Sequence, residues 1–464
     1  MAHDDTIIAL ATPSGMGAIS ILRISGKDAI HITSKVFESK FGKDLLQAKS
    51  HTIHLGNLVD NGRIIDEVLV SIFKGPNSYT GEHVVEINCH GSIYIQKEIM
   101  NLFLKHGCRT ATNGEYTLRA FINGKLDLSQ AEAVSDLIAS DSQASHQIAL
   151  QQMRGGFSNE IKHLREQLLN FASLIELELD FSEEDVEFAD RTEFTDLLNK
   201  IGSLLKSLID SFAHGNVFKH GIPVAIVGKP NVGKSTLLNA LLNEEKAIVS
   251  SIAGTTRDAI EDEIIIEGIT YRFIDTAGIR NTDDFVENIG IEKTYEKIEQ
   301  AQLVIHIIDG SSVATTTLKR IVIDEQKKLQ EQYPEKRILT LVNKADLLTN
   351  DLINELQQDI ENLIIISAKE KSGIEILKLE LTKMANTGLL SSNQTIVSNS
   401  RHFEALSNAH QCILEVQNGI QMGISSDLLA IDIRQTLYHL GEITGSVSND
   451  ELLGNIFANF CIGK

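Results

Sequence analysis

The sequence predicts a multidomain protein, α/β plus all-α, in which a doubly wound, mostly parallel α/β unit interrupts a helical domain that itself follows an N-terminal α/β domain. Three observations carry this. At 464 residues the chain exceeds one ordinary core, which holds roughly 150 residues. Short β-branched runs alternate with helical stretches twice, once near the N-terminus and again from residue 222 onward. Between and after these two regions the apolar residues recur at helical spacing.

The N-terminal domain is placed at residues 1–120, where apolar runs at 19–24 and 68–73 alternate with a helical stretch at 95–106. Ser129 and Glu132 read as an S-x-x-E capping box, after which helical periodicity continues through 213 with Leu164, Leu168, Phe171 and Ile175 on one face. Residues 121–216 are therefore the first part of a helical domain. At Ile222 the run Pro223-Val224-Ala225-Ile226-Val227 opens an alternation of strands and helices, placing the inserted unit at 217–385. The Ser/Asn-rich stretch 386–400 reads as a linker, and helical periodicity at 403–417 and 428–440 makes 386–464 the second part of the helical domain. There is no internal repeat and no heptad array.

Composition narrows the class. Hydrophobic content of 42% and charged content of 23% fit a soluble globular protein, and the absence of Trp with 5% aromatics fits helix-rich packing. The N-terminus is acidic where a signal peptide is basic, and the apolar run at 7–11 is far too short to span a bilayer, so no membrane anchor and a cytoplasmic location are expected. Cys89, Cys108, Cys412 and Cys461 are scattered without metal-ligand or disulfide spacing. Cys461 formally fits C-a-a-X, but Gly463 and Lys464 do not suit prenylation. Gly15 and Gly17 are followed by Ser20 in place of a third glycine, which argues against a dinucleotide fingerprint. A net charge of -21 opposes non-specific binding to a phosphate backbone.

The chemistry is concentrated between residues 228 and 369. Gly228-Lys229-Pro230-Asn231-Val232-Gly233-Lys234-Ser235 matches G-x-x-x-x-G-K-S, directly after an apolar strand and before a helical run opening at Thr236. Glycines let backbone N–H groups turn toward phosphates at a helix N-terminus, Lys234 spans the β and γ oxygens, and Ser235 ligates Mg²⁺. Asp275-Thr276-Ala277-Gly278 ends a strand, placing a carboxylate by the metal shell and the Gly278 N–H by the γ-phosphate. Gly254-Thr255-Thr256-Arg257-Asp258 supplies a second hydroxyl for the metal from Thr256. Asn343-Lys344-Ala345-Asp346 and Ser367-Ala368-Lys369 each follow a strand, at the strand ends where open α/β sheets bind ligands. The carboxylate of Asp346 accepts from guanine N1–H and N2–H₂, donors that adenine lacks. Alone, the Asp275 motif is weak evidence and the Gly254 segment is just a loop, whereas the phosphate loop in its strand–helix context favours the functional reading by itself. In one order they predict a guanine-nucleotide-binding phosphohydrolase.

One expected residue is missing. Ras-type GTPases carry a water-orienting glutamine after D-x-x-G, and here Ile279 stands there. Another group must orient water and another positive charge must serve the transition state. Asn231, in the phosphate loop, can offer its amide oxygen to a monovalent cation; Arg257 and Arg280 are alternative cation donors, and Glu287 is a candidate to position water.

The chain resembles the tRNA uridine-modification GTPases of the MnmE (TrmE) family from end to end. The resemblance is carried by Asp5 to Pro13 with Ile21 to Gly26, by Gly75 to Glu82, by Lys125 to Ala133, by the motifs above, and by the terminal Cys461-Ile462-Gly463-Lys464. It implies an N-terminal folate-binding and dimerisation domain and a Ras-like P-loop GTPase domain. It implies that Asn231, Ser250, Ile252 and Thr255 surround K⁺, with Ser250 where threonine is usual in the family. Ser235 and Thr256 would hold Mg²⁺, and Glu287 would orient the attacking water through a second water. The wider nucleotide-binding set would be Asn231, Val232, Gly233, Lys234, Ser235, Thr236, the run Ser250, Ser251, Ile252, Ala253, Gly254, Thr255 and Thr256, then Asp275 to Gly278, Asn343, Lys344, Asp346, Ser367, Ala368 and Lys369.

It further implies that Arg23, Glu82, Lys125 and Lys464 bind a 5-formyl- or methylene-tetrahydrofolate one-carbon donor, with Cys461 near that chemistry or simply packing. The implied partners are a second copy in a homodimer, an FAD-dependent flavoprotein of the MnmG (GidA) type, and tRNA. A ribosome-assembly GTPase switch binding rRNA is the competing expectation, and it requires a basic RNA-binding module that this acidic chain does not display.

Overall fold

The computed structural model describes residues 5–180, 191–245, 262–274, 297–311, 315–360, 363–385, 395–448, 450–458 and 460–463. These fall into two compact units, one of residues 1–139, 149–206 and 404–464, the other of residues 140–148 and 207–403.

The first unit opens with β1 (Ile7–Leu10), β2 (Ile19–Ser25), α1 (Ala29–Val36), β3 (Phe37–Ser39), β4 (Thr52–Asp60), β5 (Arg63–Phe73), β6 (Val84–His90), α2 (Ile93–Lys105) and β7 (Arg109–Thr110). The strands form one sheet in the order β3-β4-β5-β6-β2-β1-β7, antiparallel except for the β1–β7 pair. Alternation decides which face is covered. Leu22 and Ile24 of β2, Val68, Val70 and Ile72 of β5, and Val85 and Ile87 of β6 are buried in one core with Ile30 and Val36 of α1 and Ile99, Leu102 and Phe103 of α2. Arg23 and Glu86, at the intervening positions, are cross-strand partners.

Helices follow: α3 (Glu115–Ile122), α4 (Leu128–Ala139), α5 (Gln143–Met153), α6 (Gly156–Asp180) and α7 (Arg191–His220). The capping box at the start of α4 lies two residues before the expected Ser129–Glu132 pair. Asp127 Oδ1 accepts from the Gln130 N–H at 3.0 Å, and the Asp127 N–H donates to Gln130 Oε1 at 3.0 Å. Ser129 is inside the helix, its hydroxyl donating to Asp127. Of the predicted apolar stripe of α6, Leu164 and Leu168 are buried and Phe171 stacks on Phe194 of α7, while the Ile175 side chain lies outside the described residues.

The second unit is an open sheet of β8 (Ile222–Val227), with α8 (Lys234–Glu245) after it, then β9 (Asp262–Ile266), β10 (Ile269–Phe273), β11 (Leu303–Asp309), α9 (Thr315–Gln332), β12 (Arg337–Asn343), α10 (Asn350–Asp359), β13 (Ile364–Ile365) and α11 (Ile374–Ala385). Strand order is β13-β12-β11-β8-β10-β9, parallel except for the β9–β10 hairpin. The central strands are apolar almost without interruption, as strands covered on both faces must be. From β8 the chain builds outward first to one side and then to the other, so a topological switch point lies between β8 and β11, where such sheets bind ligands. The N-terminal turns of α5 belong to this unit: Ala144 and Ile148 are buried with Ile264, Ile266 and Ile269 of the hairpin, and the Ala144 N–H donates to Gly268 O at 3.1 Å.

Of the expected linker 386–400, residues 395–399 have no regular structure, yet Ile396 and Val397 are buried. Val397 O passes so close to α7 that a Cβ on Gly215 would lie 2.0 Å from it, which explains a glycine inside that helix. The last helices are α12 (Ser400–Gln421), α13 (Ser426–Thr444) and α14 (Asp450–Ala458). Among the described residues no helix is long and apolar enough to cross a membrane.

Candidate functional site

The phosphate loop leaves the C-terminal end of β8 at the switch point. Gly228 has φ +153°, and a Cβ there would lie 2.4 Å from Ile307 O on the neighbouring β11. Gly233 has φ +100°, and its Cβ would lie 2.3 Å from the Asn343 amide nitrogen. Only glycine fits at either place. Asn231 takes the left-handed region at φ 62°, which Asn tolerates better than most residues. Buried Val232 anchors the loop in the core, and α8 starts with the Leu237 N–H donating to Gly233 O at 2.9 Å. The result is a turn of backbone donors at a helix N-terminus with no side chain at its base, a cradle that fits a phosphate chain.

Lys234 lies back across this loop, its Nζ donating to Gly228 O and Lys229 O at 2.8 Å each. Burial, with the charge of Lys297, pushes its ammonium below the usual lysine range. Ser235 and Thr236 stand in the first turn of α8, where Ser235 offers the hard oxygen that Mg²⁺ prefers.

Asn343, at the tip of β12, joins the three motifs. Its Nδ2 donates to Val232 O at 2.8 Å and its Oδ1 accepts from the Ala368 N–H at 3.0 Å, so one buried amide fixes the phosphate loop to the Ser367-Ala368-Lys369 loop. Lys344, at φ 67°, donates to Asp309 Oδ2 at 2.6 Å across the tips of β12 and β11. Burial raises the Asp309 carboxyl, but Lys344 and Ser311 outweigh it and hold it below its usual range. Asp346 is exposed, and its Oδ1 accepts from the Ser367 hydroxyl at 2.5 Å. Lys369, the last residue of the Ser367-Ala368-Lys369 loop, is exposed. Thus Asn231, Val232, Gly233, Lys234, Ser235, Asn343, Lys344, Asp346, Ser367 and Ala368 converge at the strand tips. Ser250, Ser251, Ile252, Ala253, Gly254, Thr255, Thr256, Arg257, Asp275, Thr276, Ala277, Gly278, Ile279, Arg280 and Glu287 lie outside the described residues. Sequence reading did not foresee Asp309 as the partner of Lys344, although its place at the end of an apolar strand is the same signal that marks Asn343.

A second polar cluster forms in the first unit. Arg23 Nε donates to Glu86 Oε1 at 2.9 Å, and its guanidinium lies 5.5 Å and 5.8 Å from the ring centres of Tyr79 and Tyr116. Glu82 Oε2 accepts from the Ser25 hydroxyl at 2.7 Å, and Glu82 also accepts from Arg119. The exposed Lys125 runs alongside: its Cγ would touch a Cβ on Gly81 at 3.4 Å. Ile462 bridges to Asn113, and Gly463 O accepts from Arg23 Nη1 at 3.4 Å. Arg23, Glu82 and Lys125 are therefore gathered in one region with the C-terminal residues, while Lys464 itself lies outside the described residues. Cys461 is exposed, and its carbonyl accepts from Gly114 N at 3.4 Å.

Beneath this cluster is an ion network that sequence reading missed. Arg119, only 2% exposed, donates to Asp5 Oδ1 at 2.7 Å and Glu115 Oε1 at 3.0 Å, and Arg109 donates to Glu115 Oε1 and Asp5 Oδ2 at 2.6 Å each. Burial raises the Glu115 carboxyl, but Arg109, the Thr112 N–H and Arg119 together bring it down to about 2. The Arg109 hydrogen bond, with Arg119, brings Asp5 to about 2 against a desolvation penalty.

A doubly wound sheet whose switch point carries a phosphate loop, a strand-tip N-K-x-D and an S-A-K loop defines a P-loop protein that binds guanine nucleotides. The family described as "GTP-binding protein TrmE N-terminus" matches residues 6–125, and the one described as "MnmE helical domain" matches residues 128–461. The tRNA modification GTPase MnmE of Flavobacterium johnsoniae is 63% identical over 100% of both chains, and those of Flavobacterium psychrophilum and Christiangramia forsetii are 63% and 59% identical, again over 100% of both chains. The chain belongs to the MnmE family of tRNA modification GTPases, which are GTP-hydrolysing enzymes.

Proposed function

We propose that this chain is a K⁺- and Mg²⁺-dependent GTPase that, with an FAD-dependent flavoprotein of the MnmG (GidA) type, adds a carboxymethylaminomethyl-type group to carbon 5 of wobble uridine in tRNA. A 5-formyl- or methylene-tetrahydrofolate supplies the one-carbon unit, and the protein works as a cytoplasmic homodimer. The domains are assigned as 1–120 for folate binding and dimerisation, 121–216 and 386–464 for the helical domain, and 217–385 for the G domain. The observation that carries the reading is the Asn343 bridge, which joins phosphate and base loops in one site within a chain 63% identical to relatives of that name.

In this reading Lys234 leaves the loop carbonyls to span the β and γ phosphates, while the backbone N–H groups of 231–236 donate to the phosphate oxygens. Ser235 and Thr256 hold Mg²⁺. Asn231, with Ser250, Ile252 and Thr255, holds K⁺, whose chemistry is to neutralise charge developing on the phosphates where an arginine finger serves other GTPases. Glu287 orients the attacking water, the role that Ile279 cannot fill. Gly278 senses the γ-phosphate, and Asp346 and Ser367 face the guanine edge. The gathering of Arg23, Glu82 and Lys125 beside the C-terminus supports a folate site there, since cations suit the folate carboxylates and aromatic rings suit its pterin.

Replacing K⁺ by Na⁺ is expected to slow GTP hydrolysis by about tenfold or more, since a misfitted cation weakens charge stabilisation. Equal turnover in the two salts removes Asn231 from its role. Glu287→Ala is expected to cut turnover roughly 100-fold while nucleotide affinity stays near that of the parent. A matching loss of affinity would instead make Glu287 structural. Nucleoside mass spectrometry of tRNA from a deletion strain tests the wider reading, and intact wobble-uridine modification would end it.

A further inference from the structure

The interface between α9 and β11 is apolar on both sides, with one interruption on each. On α9, Leu318, Val322 and Leu329 repeat at helical spacing toward the sheet, and Glu325 occupies the place between Val322 and Leu329. On β11, Val304 and Ile308 point into the same layer, and His306, buried, occupies the place between them. The two interruptions meet: His306 Nε2 lies 3.3 Å from Glu325 Oε2.

Glu325 does not end there. Its Oε1 accepts from Lys229 Nζ at 2.6 Å, and Lys229 is the second residue of the phosphate loop. The Lys229 carbonyl is one of the two that hold the Lys234 ammonium. His306 is paired in the sheet with Val227, the residue from which the loop departs. A chain of contacts thus runs from the sheet interior through Glu325 to the loop backbone that holds the nucleotide-binding lysine.

Such a pair is a poor investment in stability. Burying an imidazole and part of a carboxylate in an apolar layer costs solvation, and an apolar pair would pack at least as well. What the pair adds is a fixed anchor for a lysine on an otherwise solvent-facing loop. Burial pushes the His306 imidazole below its usual range, so at neutral pH it is the uncharged ring whose Nε2–H donates to Glu325. That leaves the carboxylate charge for Lys229.

We propose that Glu325, seated on His306, is a positioning residue for GTP. Through Lys229 it holds the Gly228–Lys229 peptide at a fixed height over the sheet, so that the loop N–H groups are arranged before nucleotide arrives. Preorganisation of this kind strengthens binding of any nucleotide that uses the loop and leaves the chemical step untouched. GTP and GDP are therefore affected alike.

The test is a double-mutant cycle in the full-length protein with Lys229→Met, Glu325→Gln and the pair, using fluorescent GTP and GDP analogues for affinity and steady-state hydrolysis for turnover. Each single change is expected to weaken both nucleotides about fivefold, the upper end for an ion pair of this exposure, with saturated turnover within about twofold of the parent. The double variant is expected to bind no more weakly than either single. Additive losses, parent-like affinity in Glu325→Gln, or a fall in saturated turnover without loss of affinity would each overturn the proposal. Should Glu325→Gln fail to fold, Lys229→Met alone decides: its side chain is largely exposed, and parent-like affinity in that variant would overturn the proposal too.

Discussion

Asp346→Asn is expected to lower GTP affinity roughly 10³-fold and to make xanthosine triphosphate the better ligand. The carboxylate of Asp346 stands exposed at the tip of β12, steadied by the Ser367 hydroxyl at 2.5 Å. A guanine edge brings two donors, N1–H and N2–H₂, and a carboxylate accepts both. An asparagine replaces one acceptor by an NH₂, so two donors oppose each other in a partly desolvated site. Xanthine carries a carbonyl oxygen where guanine carries the amino group, and that oxygen accepts from the new amide. The variant should fold normally, because an amide oxygen can still accept from Ser367. Calorimetric titration with the two nucleotides measures the switch, and GTP affinity equal to the parent's would remove Asp346 from base recognition.

The motifs at Gly228, Asn343 and Ser367 were legible because the sequence carries both the motif and its flank, an apolar strand before each, and those strands are parallel members of one sheet. The ties between motifs were not. Asn343 belongs to a legible motif, yet its work is to hold Val232 and Ala368, 111 and 25 residues away, and that depends on strand order. The same holds for Glu325, which at the level of sequence is one charge in a charged helix and is given meaning only by β11 alongside. At the start of α4 the box forms from Asp127 with Gln130 and not from the expected Ser129 with Glu132, because the helix begins at Leu128 and Ser129 already lies inside it. In the N-terminal domain Arg23 meets Glu86 through the β2–β6 register, across 63 residues that no local pattern spans. Arg119 was invisible for another reason. In α3 it looks like a helix-surface cation paired with Glu115 four residues earlier, and only Asp5, ahead of β1, and Glu82, ahead of β6, complete the ring of carboxylates.

Arg119→Met is expected to destabilise the protein by about 3–5 kcal/mol, the cost of removing one partner from a buried charge network. The guanidinium donates to Asp5, Glu82 and Glu115, and Glu115 is as buried as Arg119 itself, so a carboxylate is left in the interior with Arg109 as its remaining cation and Thr112 as its remaining neutral donor. An apolar side chain of similar length fills the space but replaces none of the hydrogen bonds that Arg119 gives to Glu82 and Glu115. Acid behaviour gives a second readout. The Glu115 carboxyl lies at about 2 in the folded protein against 4.5 ordinarily, so the unfolded chain binds its proton first. Its contribution, roughly 3 kcal/mol by linkage, is present above pH 4.5 and is lost as pH falls from 4.5 toward 2. Without Arg119 the carboxyl is less depressed, and the variant, already weaker at neutral pH, has less to lose over that interval. Urea unfolding followed by far-ultraviolet circular dichroism across pH 7 to about 3 measures both effects. A parent-like midpoint at neutral pH, or an acid limb as steep as the parent's, would show that Arg109 alone carries the network and that Arg119 is only packed beside it.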